Sequence, residues 1–173
     1  MYYAIMHIRT DMDTPLGEVT LVSDGQNLTG LYFSYTPSLP ASIFSLSWIP
    51  VPDLPVFEET CKWLTEYFQG KEPEFMPDIS LVGTPFQLEV WSTLRTIPYG
   101  STVTYGAIAQ EIAAKHGRKR MSAQAVGNAI HRNPVSILVP CHRVIGKDGS
   151  LTGYAGGLWR KQQLLSMEKA LRV

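Results

Sequence analysis

The sequence predicts an α+β protein, with a small antiparallel sheet and one helix first and a mostly helical C-terminal half after it. Three observations carry that prediction. Alternating apolar residues punctuated by turn signals run through residues 3–33, and helix start and stop signals recur from Gly83 onward. The third is charge. Three bases face eleven acids from Met1 to Val82, and twelve bases face four acids from Gly83 to Val173, so a net charge of +0 conceals −8 and +8. The domain boundary therefore falls between residues 82 and 83, with a structural α/β domain before it and a basic domain after it. A hydrophobic content of 45% is enough for a core in each.

In the first half, Thr14-Pro15-Leu16-Gly17 has Pro and Gly where a turn uses them, and Val19 and Leu21 then alternate as in a half-buried strand. Asp24-Gly25 marks the next turn, before an extended stretch with Leu31 and Phe33 on one face. Residues 36–55 carry five prolines and read as a long irregular connection. Pro55 to Gln69 reads as a helix with Phe57, Cys61, Leu64 and Phe68 on one stripe, which makes Cys61 inert core. Phe75 to Leu81 reads as a further strand. Cys61 and His7 are too few for a metal site, and Cys61 and Cys141 suggest no disulfide framework.

The second half opens on Thr84-Pro85-Phe86-Gln87, where Thr can cap, Pro suits the first helical position and Gln can complete a capping box. Phe86, Val90, Leu94 and Ile97 form its inner face, and Pro98-Tyr99-Gly100 ends it as scaffold. Thr104 can cap a helix reaching about Ala114, and Ser122 a second one from Ala123 to about His131. Two short helices in this order suggest a helix-turn-helix. Their connection holds Arg118, Lys119 and Arg120, for which phosphate contact is the plain inference. Small residues line the second helix: Ala123, Ala125, Gly127 and Ala129. They suit either tight helix packing or close approach to a minor groove, and they lack the Arg, Asn or Gln array of a base reader.

An apolar run, Ile137 to Val139, then ends at Pro140 and is followed by Cys141 and His142. Proline stops an extended segment, so the thiol would stand at the end of a rigid element. A Cys–His pair is often only a buried apolar residue beside a surface histidine, but imidazole is also the usual means of making a thiolate nucleophile. Beyond Lys147-Asp148-Gly149, residues 151–157 precede a final helix from Leu158 to about Leu171.

Pro140-Cys141-His142-Arg143-Val144-Ile145-Gly146 resembles the active-site signature of the O6-alkylguanine-DNA alkyltransferases, also called methylated-DNA–protein-cysteine methyltransferases. The similarity extends through Ala125-Val126-Gly127-Asn128-Ala129, Asn133-Pro134 and Tyr154-Ala155-Gly156-Gly157, and covers at least Gly83 to Val173. It implies that Cys141 takes the alkyl group from O6-alkylguanine, and from O4-alkylthymine, in double-stranded DNA and keeps it. Glu168 would orient His142, which deprotonates Cys141 through a water. Tyr105 would turn the nucleotide out of the helix and protonate the leaving base. Ala123, Ala125 and Gly127 would press on the minor groove, and Gln124 stands where the family commonly has an arginine finger. Glutamine can wedge into the stack but stacks less well than guanidinium. Asn133 would tie the helix-turn-helix to the active-site segment, although an Asn-Pro turn reads the same way from sequence. Tyr154 would flank the alkyl group, the Ala155 N–H would face O6, and the carbonyls of Cys141 and Val144 would accept from the guanine amine.

The resemblance implies no cofactor; some family members hold a zinc ion in the first half with Cys and His ligands, and Cys61 and His7 alone do not support a metal there. Two cysteines eighty residues apart and the lack of any apolar run near eighteen residues read as a cytoplasmic protein with no membrane partner, and the resemblance makes its partner damaged DNA and its form a monomer. A lesion binder of the alkyltransferase-like branch would lack Cys141. A DNA-binding regulator is disfavoured by the small-residue helix, and a cysteine hydrolase remains a third class.

Overall fold

The computed structural model describes residues 7–12, 14–34, 49–51 and 53–170. They form two compact units, one of residues up to 81 together with 134–136, the other of 82–133 and 137 onward. In the first, β1 (His7–Met12), β2 (Val19–Ser23) and β3 (Leu28–Phe33) are antiparallel neighbours. The first turn closes as its residues dictate: Gly17, at φ 102, donates its N–H to the Thr14 carbonyl at 2.9 Å. A two-residue β4 (Ile49–Pro50) adds a parallel edge to β1, so the order is β3-β2-β1-β4. All five β2 residues are buried, which makes it an interior strand rather than a half-buried one.

Against this sheet lies α1 (Pro55–Phe68), through Val56, Phe57, Thr60, Trp63, Leu64 and Tyr67. The buried face is rotated from the expected stripe. Trp63 and Tyr67, stacked at 5.1 Å, bury the larger apolar area, and Cys61 and Phe68 are left half-buried at the edge. The strand expected over Phe75–Leu81 reduces to one parallel bridge, Ile79 to Leu28. Pro73 and Pro77 precede it and cannot donate to a ladder. Most of the proline-rich stretch 36–55 lies outside the described residues.

The second unit is built on caps. In α2 (Pro85–Leu94), Gln87 N–H donates to Thr84 Oγ1 at 3.3 Å and Thr84 N–H to Gln87 Oε1 at 2.9 Å, a complete capping box. Thr104 and Ser122 start α3 (Tyr105–Lys115) and α4 (Ala123–His131), their hydroxyls accepting from Ala107 at 3.1 Å and Ala125 at 3.2 Å. Ile108, Ile112, Val126, Ala129 and Ile130 bury the faces that pack these helices together. The Trp91 indole donates to the Ala129 carbonyl at 2.9 Å, joining α2 to α4.

A short parallel ladder then sets the site. β5 (Val103–Thr104) pairs with β6 (Val144–Ile145), Val103 opposite Val144. Tyr105 follows β5 directly and Cys141–Arg143 precedes β6 directly, so two residue pairs, Val103 with Val144 and Thr104 with Ile145, hold both in register. Residues 136–138 form a turn and Val139 a bend, not the extended run that their apolarity suggested. Ile137 has φ 71, a costly conformation for a β-branched side chain, and is held there at 1% exposure. Cys141–Arg143 form a single 3-10 turn behind Pro140. The last helix, α5 (Leu158–Met167), is shorter than expected: Glu168 caps it and Lys169 takes φ 55. No described helix is long and apolar enough to cross a membrane.

Candidate active site

The thiol of Cys141 is 6% exposed and is approached by a neutral donor. Asn133, just beyond the end of α4, directs its side-chain amide at the Val139 carbonyl (2.8 Å) and at Cys141 Sγ (3.2 Å). It therefore fixes the turn before the cysteine and touches the sulfur as well. Burial pushes the thiol up, against the Asn133 hydrogen bond, the nearby Lys161 charge and the backbone N–H groups of the turn, which pull it down. Burial is the largest of these influences and leaves the thiol above its ordinary value.

His142 is fully buried behind it, with its ring edge-on to Tyr154 at 6.5 Å. Its Nε2 lies 2.7 Å from Glu168 Oε1. Burial would raise the Glu168 carboxyl, but hydrogen bonds from His142 and Arg143 hold it at about 2. A carboxylate that stays ionised can only accept, so Nε2 carries the proton and Nδ1 is the basic nitrogen of the ring. Burial also lowers the His142 pKa, with Arg143 and Lys161 in the same direction and Glu168 opposing them. A neutral imidazole with a fixed tautomer is what a general base requires.

Two buried cations that sequence reasoning passed over complete the pocket. Arg143 donates to both Glu168 oxygens, at 2.8 and 3.0 Å, and to the Ile97 carbonyl at 2.7 Å. Lys161, at 0% exposure, donates to the carbonyls of Val144 and Thr152, the latter at 2.6 Å. Burial lowers its pKa to about 8, with Cys141 pulling the other way. The Tyr105 hydroxyl donates to the same Thr152 carbonyl at 2.8 Å, and burial raises that phenol, so it is a proton donor at neutral pH. Gly153, at φ 67, lets it in: a Cβ there would lie 2.6 Å from the Tyr105 oxygen. The Val144 carbonyl proposed for the guanine amine thus already serves Lys161, with one lone pair left over. One signal could have found Lys161: of the adjacent bases Arg160 and Lys161, it is the one three and four residues before Leu164 and Leu165, on the apolar side of the last helix; Arg143 stood inside the signature itself.

The remaining expected residues lie nearer the surface. Ala123 and Gln124 are exposed at the start of α4, Ala125 and Gly127 are half-buried, and a Cβ at Gly127 would stand 3.8 Å from the Tyr105 ring. Ala155 is half-buried beside the buried Tyr154. The basic triplet divides. Lys119 and Arg120 line an open cleft of about 540 Å³ with Gln110, Ser122 and Ala123. Arg118 lines a separate hollow of about 250 Å³ with Phe86, Glu89 and His116, where His116 Nε2 lies 2.8 Å from a Glu89 oxygen.

Residues 85–170 match the family model of the 6-O-methylguanine DNA methyltransferase DNA binding domain, and residues 1–81 that of the 6-O-methylguanine DNA methyltransferase ribonuclease-like domain. A methylated-DNA–protein-cysteine methyltransferase of Mycobacterium leprae is 44% identical over 168 residues, 95% of this chain and 93% of the relative. One from Methanosarcina acetivorans is 40% identical over 97% of this chain and 98% of its own. Among solved structures, Mycobacterium tuberculosis OGT in complex with DNA matches with a TM-score of 0.81 and 44% identity, covering 95% of this chain and 93% of that one.

Proposed function

The chain belongs to the 6-O-methylguanine DNA methyltransferase family and has its activity in DNA repair, methyl transfer from methylated DNA to a protein cysteine, and we propose that Cys141 is that cysteine. The observation that carries the proposal is the Cys141 sulfur 3.2 Å from the Asn133 amide, on a turn whose next residue is locked to Glu168 at 2.7 Å. A flipped O6-alkylguanine, or O4-alkylthymine, enters between the Cys141 turn and residues 151–157. His142 Nδ1 takes the thiol proton through a water. The thiolate sulfur bonds to the alkyl carbon, the carbon–oxygen bond breaks, and its electron pair stays on the base oxygen. Tyr105 turns its hydroxyl proton from the Thr152 carbonyl to the leaving base, and normal guanine departs. The thioether has no route back, so each molecule acts once.

A free thiol near pKa 8.5 is only a few per cent thiolate at neutral pH. Lowering that pKa to about 5 would multiply the thiolate roughly thirtyfold and cost intrinsic nucleophilicity by a similar factor, given a Brønsted slope of about 0.4–0.5. Acceleration therefore comes from in-line alignment and leaving-group protonation. A thiol that burial raises above its ordinary value fits that division. Extrusion of the base costs a few kcal/mol. In this reading the small-residue start of α4 meets the minor groove, Gln124 fills the vacated stack, and Lys119 and Arg120 hold phosphate. Residues 83–173 hold the DNA-binding helix-turn-helix and the chemistry, and 1–82 support it; the working form is a monomer on double-stranded DNA.

Intact-mass measurement after incubation with O6-methylguanine duplex tests the assignment. One added methyl group, mapped by peptide sequencing to Cys141, is the expected result. A methyl on Cys61, or none, would overturn it.

A further inference from the structure

Neither the turn Pro98-Tyr99-Gly100 nor Arg143 has a task in the reaction as written, yet both converge on Glu168. That carboxylate is badly placed by default, at 3% exposure and at the C-cap of α5, beside the negative end of a helix. Four donors offset this. Oε1 accepts from His142 at 2.7 Å and Arg143 Nη2 at 3.0 Å; Oε2 accepts from Arg143 Nε at 2.8 Å and the Gly100 N–H at 3.2 Å. A carboxylate has about four lone-pair sites, so it is saturated and cannot rotate without losing a partner. Arg143 also holds the turn that supplies Gly100, through the Ile97 carbonyl at 2.7 Å and the Tyr99 ring at 5.7 Å. Gly100 has φ 72, and a Cβ there would come within 2.9 Å of the Glu168 carbonyl, so the backbone approach needs glycine.

We propose that Arg143, together with the Gly100 turn, is a positioning residue for methyl transfer: it clamps Glu168 in the one orientation that pins His142 Nε2 and so fixes Nδ1 as the basic nitrogen of the ring. This rests on the reading of His142 as the base for Cys141. Arg143 has a second effect, because its charge opposes protonation of the imidazole. Among the described residues, the charged groups that act on His142 are Glu168, Arg143 and Lys161, with the Tyr154 ring edge-on to the imidazole; those that act on Glu168 are His142 and Arg143. Removing the Arg143 charge alone leaves Glu168 to stabilise an imidazolium, so the base is lost to protonation at a higher pH.

The test is the single-turnover alkylation rate of the full chain with free O6-benzylguanine, followed across pH, for wild type, Arg143→Gln and Arg143→Lys. Misplacing the base should slow both variants about a hundredfold on the plateau. The acid limb should move to higher pH in Arg143→Gln and stay in place in Arg143→Lys, which keeps a cation but lacks the two-pronged contact. A purely structural role would lower melting temperature and leave the pH profile of the folded protein unchanged, and that result overturns the proposal. If Arg143→Gln does not fold, Arg143→Lys decides: a wild-type plateau rejects the clamp and a slowed one supports it. Failure of wild type itself to alkylate Cys141 would reject the underlying reading instead.

Discussion

Cys141 is proposed to act on the flipped nucleotide and Gln124 to fill the space it vacates, and their surroundings are opposites. Around Cys141, His142, Arg143, Lys161 and Glu168 are all buried, and directional contacts of 2.6–3.2 Å hold them. Around Gln124, the start of α4 is exposed, its side chains are small, and the cations beside it stand in an open cleft. Displacement at carbon needs sulfur, carbon and oxygen in line, which only a rigid interior supplies. A search over many duplex sequences needs contacts to phosphate that any sequence can offer. Variants of the interior should therefore abolish chemistry and spare binding, and variants of the face should do the reverse.

The largest effect belongs to Cys141→Ala: no alkyl transfer by intact mass, with duplex affinity by fluorescence anisotropy close to wild type. Parallel loss of affinity would erase the contrast. Glu168→Gln comes next, with an alkylation rate at least about 100-fold lower, in the range general-base catalysis contributes. It also leaves Arg143 without its counter-ion, at a cost of about 3–5 kcal/mol of stability. The sign with pH is fixed, because the carboxyl sits at about 2 rather than 4.5. Its contribution is whole above the unfolded-state value and is lost as pH falls through about 2. Chemical denaturation at several pH values should show the gap between the two proteins closing on acidification.

The same contrast governs what could be read in advance. The caps at Thr84, Thr104 and Ser122 were legible because their donors lie three residues away, inside the same short string. Cys141 and His142 were legible as a signature. What the sequence concealed is tertiary. An Ile-Leu-Val run reads as a strand until the fold forces Ile137 to positive φ, and α5 reads as continuing until Lys169 does the same. Arg143 and Lys161 look like surface charges until a carboxylate and two carbonyls fix them in the interior. The α1 stripe was misjudged because Trp63 and Tyr67 outweigh Cys61 and Phe68 in area.

A smaller effect is expected on the face. Gln124→Arg should leave the rate with free O6-benzylguanine unchanged, since a free base needs no extrusion, and should equal or improve the rate with duplex. A large loss with the free base would move Gln124 into the interior class and break the division.

The smallest effect is in salt dependence, and it separates residues that the sequence grouped together. Each phosphate neutralised releases counterions, so log affinity falls against log salt with a slope near −0.9 per contact. Lys119 and Arg120 share the cleft at the start of α4, whereas Arg118 stands in a different hollow beside the Glu89 carboxylate, a neighbour that repels phosphate. Replacing Lys119 and Arg120 together by Ala should flatten the slope by up to about two units. Arg118→Ala should leave it almost unchanged. None of the three should alter the rate with free base, because none touches the thiol, His142 or Glu168. A slope that responds to Arg118 and ignores Lys119 and Arg120 would shift the DNA from the α3–α4 cleft to the α2 side, and the exposed face described here would lose its function.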